Sequence, residues 1–301
     1  MTLAFIATGE IALPTFRHLI EHGPKPCLLI TQPDKATGRS QSSTVPPKIK
    51  TLALEHGIPV WQPEKIKEIA EDLASLSPDY AVVMAYGQII GKAVREAPKR
   101  AMINLHASIL PKYRGASCIQ SAIASGDTET GITIMHVIRE LDAGDIISVM
   151  KIPIKERETA GELHDRLADL GPAALDSALE ILTKNPSAGT PQNPEEVTYA
   201  PKLLREHGRL DFSQSAEILE RKVRAYDPWP GTFTEVPVKG KSKRLKIFPP
   251  VEIRERSLAG GELLDHEGEL LIGCEEKALA LSDVQLEGSK RVTSNAFKNS
   301  L

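Results

Sequence analysis

Ala101-Met102-Ile103-Asn104-Leu105-His106-Ala107-Ser108-Ile109-Leu110-Pro111 joins a short apolar run to an amide and an imidazole placed two residues apart. In a β-strand, residues two apart point to one side, so Asn104 and His106 are expected to face one pocket at the carboxyl edge of a sheet. Outward from this run, Leu3–Ala7, Pro26–Thr31, Tyr80–Ala85 and Gly131–Val137 are further short apolar stretches. Between several of them lie segments of helical periodicity: Leu13–Glu21, Pro47–His56 and Ile119–Ser125. Strand and helix in alternation predict an α/β fold, a Rossmann-like domain built on a mainly parallel sheet.

Residues 160–184 carry Leu163, Leu167, Leu170, Ala174, Leu179 and Leu182 at near-helical spacing, with Gly171-Pro172 as a predicted kink or break. Composition then shifts to Pro, Ser, Gly, Asn and Glu, which buries little apolar surface and reads as a linker. After a helical segment at 216–225, short strand-like runs are punctuated by Pro237, Gly240, Pro249, Pro250, Gly260, Gly261, Gly268 and Gly273. That frequency of turn signals predicts a small β-barrel. The expected organisation is a catalytic domain over 1–185, a linker over 186–206 and the barrel domain over 207–301.

The 301 residues are 41% hydrophobic and 26% charged with a net charge of −3, the composition of an ordinary soluble globular chain. Whole-chain charge gives no hint of nucleic acid. Cys27, Cys118 and Cys274 lie far apart without the paired spacing of a zinc site or disulfide framework, which fits a reducing cytoplasm. Cys118 reads as a packed small hydrophobe. The histidines show no metal-ligand spacing, so no metal is expected. The N-terminus lacks a basic leader and no apolar run is long enough to span a bilayer, so no membrane contact is expected.

An Asn amide can donate to a developing oxyanion, and an imidazole can donate to the same centre or carry away a proton. A carboxylate can support that imidazole, and Leu141-Asp142-Ala143-Gly144-Asp145 offers two. Asp142 is read as facing the site and Asp145 as holding the loop, although from chemistry alone the two could exchange roles. Together these groups suit transfer of a one-carbon acyl group to an amine. Taken alone, they also fit an Asn-His pair capping a strand end and an aspartate in a tight turn.

Asn104 to Ala116, followed by Gly131-Ile132-Thr133-Ile134-Met135 and Leu141-Asp142-Ala143-Gly144-Asp145-Ile146, resembles the signature of the folate-dependent formyltransferases. The resemblance extends through Thr31-Gln32-Pro33-Asp34, Ala85-Tyr86-Gly87, Tyr199-Ala200-Pro201-Lys202, Asp227-Pro228-Trp229-Pro230-Gly231 and Leu286-Glu287-Gly288-Ser289-Lys290-Arg291, nearly the full length. It implies an OB-like form for the small barrel and 10-formyltetrahydrofolate as co-substrate, with Asn104, His106 and Asp142 in the catalytic positions and Ser108, Ile109, Leu110 and Pro111 in the folate-contacting loop. The C-terminal segments resemble the branch whose acceptor is the α-amine of methionine esterified to initiator tRNA, which makes initiator methionyl-tRNA the expected partner of a cytoplasmic monomer. Trp229 is expected to pack a domain junction rather than stack a base.

Residues 32–47 read as a polar loop over the site, and the resemblance puts Arg39 on the tRNA acceptor stem. Ser40-Gln41-Ser42-Ser43 departs from the more basic run common in the family, and Ala7-Thr8-Gly9-Glu10-Ile11 replaces its usual Gly-Thr-Pro turn. A G-x-G-x-x-G fingerprint is absent, which argues against a nicotinamide enzyme. Lys239, Lys241, Lys243, Arg244 and Lys246 cluster on one strand-like segment, a platform for a phosphate backbone. Such a run also serves as a solvated edge that blocks strand pairing. The rival readings are an amino-sugar or glycinamide ribonucleotide formyltransferase, a formyltetrahydrofolate hydrolase, and a catalytically silent RNA- or folate-binding module.

Overall fold

The apolar runs form strands buried on both faces, as near-continuous hydrophobic sequence requires of a parallel sheet. In the computed structural model, which describes residues 1–37, 43–238 and 240–298, the strands of the first sheet are β1 (Leu3–Ala7), β2 (Leu28–Ile30), β5 (Val60–Trp61), β6 (Tyr80–Met84), β7 (Ala101–His106), β8 (Glu129–His136) and β9 (Ile146–Pro153); β1, β2 and β6 are buried throughout, whereas β5 is partly buried and β9 alternates toward solvent. A two-stranded antiparallel hairpin, β3 (Lys35–Thr37) and β4 (Ser43–Val45), branches off after β2. The sheet order is β5-β2-β1-β6-β7-β8-β9. β5, β2, β1, β6 and β7 pair in parallel, and β8 runs antiparallel to β7.

The helices of this half are α1 (Leu13–Glu21), α2 (Lys48–Glu55), α3 (Ala70–Leu76) and α4 (Lys92–Arg95); α5 (Cys118–Ser125) and α6 (Ala160–Lys184) follow. Of the kink or break expected at Gly171-Pro172, a break does not occur: the helix runs continuously through Pro172. Buried Leu167, Leu175 and Leu182 account for its persistence, since each such side chain contributes about 1.5–3 kcal/mol on burial, comparable to the ~3 kcal/mol cost of an interior proline. Gly171 lets α6 approach α1, because a Cβ there would lie 2.2 Å from Thr15 Oγ1.

By its contacts the chain divides into two units. The first comprises Met1–Gly115, Thr130–Ile152 and His164–Tyr199; the second comprises Ala116–Glu129, Pro153–Leu163 and the chain from Ala200 onward. In the first, strand order reverses between β1 and β6, the topological switch at which open α/β sheets bind ligands beyond their carboxyl ends.

The second unit contains α5, α7 (Ala216–Ala225), strands β10 (Thr232–Val238), β11 (Lys241–Arg254), β12 (Leu263–His266), β13 (Glu269–Gly273), β14 (Ala278–Leu286) and β15 (Val292–Thr293), and α8 (Ser294–Lys298). Its antiparallel sheet has the order β10-β11-β14-β13-β12, with β15 added on β14. The register against β14 shifts between Phe248 and Val251, across Pro249-Pro250, which have no N–H for the ladder. The half-barrel packs Leu245, Ile247, Leu279 and Val284 against Leu219 and Val223 of α7.

Candidate active site

β7 delivers Asn104 and His106 to the carboxyl edge on one side of the strand, as the two-residue period predicts. Asn104 stands between Val83 of β6 and Met135 of β8, and His106 is opposite Thr133. The Asn104 side chain is half-buried, and no hydrogen bond to it is found among the described residues. His106 is only 6% exposed. Its Nε2 lies 2.9 Å from the Tyr113 carbonyl. A carbonyl can only accept, so Nε2 carries the hydrogen.

His106 Nδ1 faces Asp142 Oδ2 at 3.6 Å, beyond hydrogen-bond distance. Tyr113, rather than Asp142, therefore holds the ring's tautomer here. Asp142 adopts a left-handed backbone, φ 49°, and its Oδ2 accepts a 2.8 Å hydrogen bond from Gly115 N. Asp145 is exposed and contributes its carbonyl to His136 N at 3.0 Å. Of the two aspartates that local chemistry left open, Asp142 is the one beside the imidazole. Gly144 is required between them, because a Cβ there would sit 1.8 Å from the His136 carbonyl oxygen.

The loop after β7 is held from within. Ser108 is fully buried, and its Oγ donates to the Lys112 carbonyl at 2.7 Å. Thr133 Oγ1 donates to the Ser108 carbonyl at 2.7 Å and accepts from Leu110 N at 3.1 Å. Leu110 and Pro111 are also buried, whereas Ile109 is partly exposed. Exposed apolar side chains occur nearby in sequence at the ends of β6 and β8: Ile89 is 91% exposed, Leu141 60% and Ile138 40%. Tyr86, just beyond β6, is buried with no hydrogen-bond partner for its hydroxyl among the described residues, and burial pushes that hydroxyl's pKa up to about 12.

One residue that sequence reasoning missed is Gln192. It lies in the Pro- and Ser-rich stretch whose composition suggests a linker, and no periodicity or motif signals it. Its Nε2 donates to the Asp142 carbonyl at 2.8 Å and to the Gly144 carbonyl at 2.9 Å. Its Oε1 accepts from Arg114 Nε at 3.1 Å and from an Arg114 terminal nitrogen at 2.7 Å.

At the base of the 32–47 loop, Lys50 Nζ donates to both Asp34 carboxylate oxygens at 2.8 Å, and Gln62 donates to Oδ1 at 2.7 Å. The Gln62 hydrogen bond first, and Lys50 after it, hold the Asp34 carboxyl below its ordinary pKa. Arg39 and Lys239 lie outside the described residues. The pleat of β11 divides the remaining cations, with Arg244 and Lys246 on one face and Lys241 and Lys243 on the other. A cavity of about 600 Å³ is lined by Lys243, Arg244 and Lys246 together with Glu235 and Glu287. Arg244 lies over the Phe233 ring at 4.0 Å and 3.9 Å from a Glu206 carboxylate oxygen. Trp229 is 50% exposed.

An amide, an imidazole and a carboxylate at the carboxyl edge of a Rossmann-like sheet, in one chain with an antiparallel half-barrel, describe a group-transfer protein of a particular architecture. The profile of the formyl transferase family matches residues 4–179, and that of the formyl transferase C-terminal domain matches 202–301. The chain belongs to the formyl transferase family. It is similar to the methionyl-tRNA formyltransferase of Akkermansia muciniphila, with 47% identity over 97% of this chain and 94% of that one. Among solved structures, it resembles an N-formyltransferase from Helicobacter canadensis in complex with folinic acid and dTDP-3-aminofucose, with TM-score 0.68, 17% identity, and 93% of this chain and 98% of that one covered. It also resembles HypX from Aquifex aeolicus in complex with tetrahydrofolic acid, with TM-score 0.63 and 19% identity; the match covers 98% of this chain and 46% of that longer one. At these identities the two structures speak for the fold. Among the described residues, no helix is long and apolar enough to cross a membrane, and no group of three or more His, Cys, Asp or Glu could hold a metal ion.

Proposed function

We propose that this protein transfers the formyl group of 10-formyltetrahydrofolate to the α-amine of methionine esterified to initiator tRNA, in the cytoplasm. The observation that carries this reading is the meeting of Asn104, His106 and Asp142 at one sheet edge, in a chain alike over nearly its whole length to methionyl-tRNA formyltransferase. Residues 1–185 would perform the transfer and 207–301 would hold tRNA, with 186–206 running between them. Lys243, Arg244 and Lys246 around one cavity support the second assignment.

The folate, when bound, supplies an activated formyl group. The Asn104 amide, without a partner among the described residues, suits donation to the formyl oxygen as negative charge develops there, a contribution typically worth roughly 10²–10³ in rate. A free α-amine titrates at roughly 7.7–8.0, and an adjacent ester lowers that value. The nucleophile is therefore substantially neutral near pH 7, and the site needs an exit for a proton more than a strong base. With Nε2–H donated to Tyr113, Nδ1 of His106 is the nitrogen left to take up that proton and to return it to the folate nitrogen as that nitrogen's bond to the formyl carbon breaks. The Asp142 carboxylate, 3.6 Å away, would stabilise the resulting imidazolium. Ile89, Ile138 and Leu141 offer apolar surface for a flat ring, while Ser108 can contribute little beyond main-chain shape.

The test is to offer the protein 10-formyltetrahydrofolate with methionyl initiator tRNA, an amino-sugar nucleotide, glycinamide ribonucleotide or water alone, and to identify products by mass. Formylmethionyl-tRNA is the expected product. Formate or a formylated small molecule in its place would overturn the acceptor and leave the formyl chemistry.

A further inference from the structure

Residues 188–199 lie across both loops that carry the imidazole's neighbours. At one end, the Ala188 carbonyl meets His136 Nε2 at 2.9 Å, and Thr190 exchanges backbone hydrogen bonds with Ile146 at 2.8 and 2.9 Å. His136 and Ile146 flank the turn that bears Asp142. At the other end, Thr198 accepts from Tyr113 N at 2.8 Å through Oγ1 and from Arg114 N at 2.9 Å through its carbonyl. Tyr113 supplies the carbonyl that holds His106, and Gly115 supplies the N–H that holds Asp142. Gly189 permits the close passage, since a Cβ there would lie 2.7 Å from Asp145 Cβ.

Gln192 stands in the middle of this strap. Arg114 offers donors only, so its two N–H groups fix the Gln192 amide with Oε1 toward the guanidinium. The amide nitrogen must then face the other way, toward the carbonyls of Asp142 and Gly144. These four contacts, and a longer one from Nε2 to Met135 Sδ at 3.9 Å, use the amide in its one satisfying orientation. They bind the turn carrying Asp142, whose left-handed backbone is unfavourable for a residue with a Cβ, to the segment that ends at Gly115.

We propose that Gln192, oriented by Arg114, is a positioning residue that sets the separation of Asp142 from His106; this rests on the catalytic reading of that pair given above. Gln192 touches neither reacting group's side chain and acts through the main chain of the Asp142 turn. A glutamate at this position keeps the size and the Arg114 partner but turns an acceptor toward two carbonyls. A methionine keeps the length and removes every hydrogen bond of the amide.

The experiment measures formyl transfer as a function of formyl-donor and methionyl-tRNA concentration, giving the rate at saturation and KM, for the wild type, Gln192→Glu, Gln192→Met, Asp142→Asn and the two double variants. Both Gln192 variants are expected to lose roughly 10- to 100-fold in rate, the cost of misplacing a catalytic group by about 1 Å, while KM for either substrate moves by less than about twofold. In the Asp142→Asn background, neither Gln192 change is expected to slow the reaction further. Wild-type rates in the folded Gln192 variants, with Asp142→Asn slow, would overturn the positioning role and leave the catalytic reading standing. A second, equal loss in the double variants would show that Gln192 acts independently of Asp142, and would also overturn it. Wild-type rate in Asp142→Asn would remove the catalytic reading and this inference with it. Urea unfolding accompanies each variant, and if one of the two Gln192 substitutions fails to fold, the other decides.

Discussion

Adding one methyl group at Gly144 should slow formyl transfer about a hundredfold while leaving the protein folded. The added Cβ would start 1.8 Å from the His136 carbonyl oxygen, and Cβ atoms essentially never come within 3.0 Å of a heavy atom, so the two must separate by at least 1.2 Å. His136 is the last residue of β8, paired with β7, and yields less readily than the turn. The turn therefore moves, and it carries the Asp142 carboxylate, whose contacts to Gly115 N at 2.8 Å and His106 Nδ1 at 3.6 Å leave little slack. A shift of about 1 Å at a catalytic group costs on the order of 10² in rate, or about 2.7 kcal/mol of barrier. The accompanying overpacking should cost about 1–3 kcal/mol of stability, within what a domain of this size tolerates. The assay pairs single-turnover formylation of methionyl-tRNA with thermal unfolding, and uses Gly57→Ala as control. Gly57 also has positive φ, 67°, but a Cβ there meets nothing within 4 Å, so that variant should lose about 1–2 kcal/mol of stability and no rate. A folded Gly144→Ala protein turning over at the wild-type rate would refute the claim that the position of this turn controls the chemistry.

Tyr86→Phe removes a buried hydroxyl that lacks a partner among the described residues and should stabilise the protein by up to about 1 kcal/mol in urea unfolding; a clear loss would mean that the hydroxyl is satisfied after all. Because the folded Tyr86 pKa is raised to about 12, the wild type should lose stability relative to Tyr86→Phe as pH rises from about 10 toward 12, and an unchanged difference over that range would contradict the burial argument. Asp34, held below its ordinary pKa by Gln62 and Lys50, contributes stability above the usual carboxylate value of roughly 4 that is lost as pH falls through its depressed value. Unfolding midpoints of wild type and Asp34→Asn should accordingly converge on acidification, and parallel curves would exclude the linkage. Replacing Lys243 and Lys246 together with Gln should weaken tRNA binding and flatten its logarithmic salt dependence by roughly 1–2, whereas an unchanged slope would remove this strand from the phosphate footprint.

Much of the fold is legible along the chain because its signals are local. Leu3–Ala7 and Tyr80–Met84 read as strands since a strand buried on both faces must be continuously apolar, and 216–225 reads as a helix because one face alone is apolar. Pro172 leaves kink and break undivided for the complementary reason: its penalty is local, while the burial of the leucines that keeps the helix continuous is tertiary. The same division runs through the site. Asn104 and His106 can be placed together from spacing alone, because the pleat of one strand puts them there.

The sequence by itself determined which chemical groups are available: an amide and an imidazole two residues apart, two aspartates in one turn, and a run of cations late in the chain. Only the tertiary structure chose among them. It selected Asp142 over Asp145 through the positive φ and the Gly115 N–H, neither of which leaves a mark on residue identity. Register and pleat divided the cations of β11 between two faces and set carboxylates among them. Gln192 acquired its place through Arg114, 78 residues away in sequence, and two carbonyls about fifty residues away. Main-chain carbonyls are the same in every residue, so a side chain whose partners are carbonyls becomes recognisable only when folding brings them within reach.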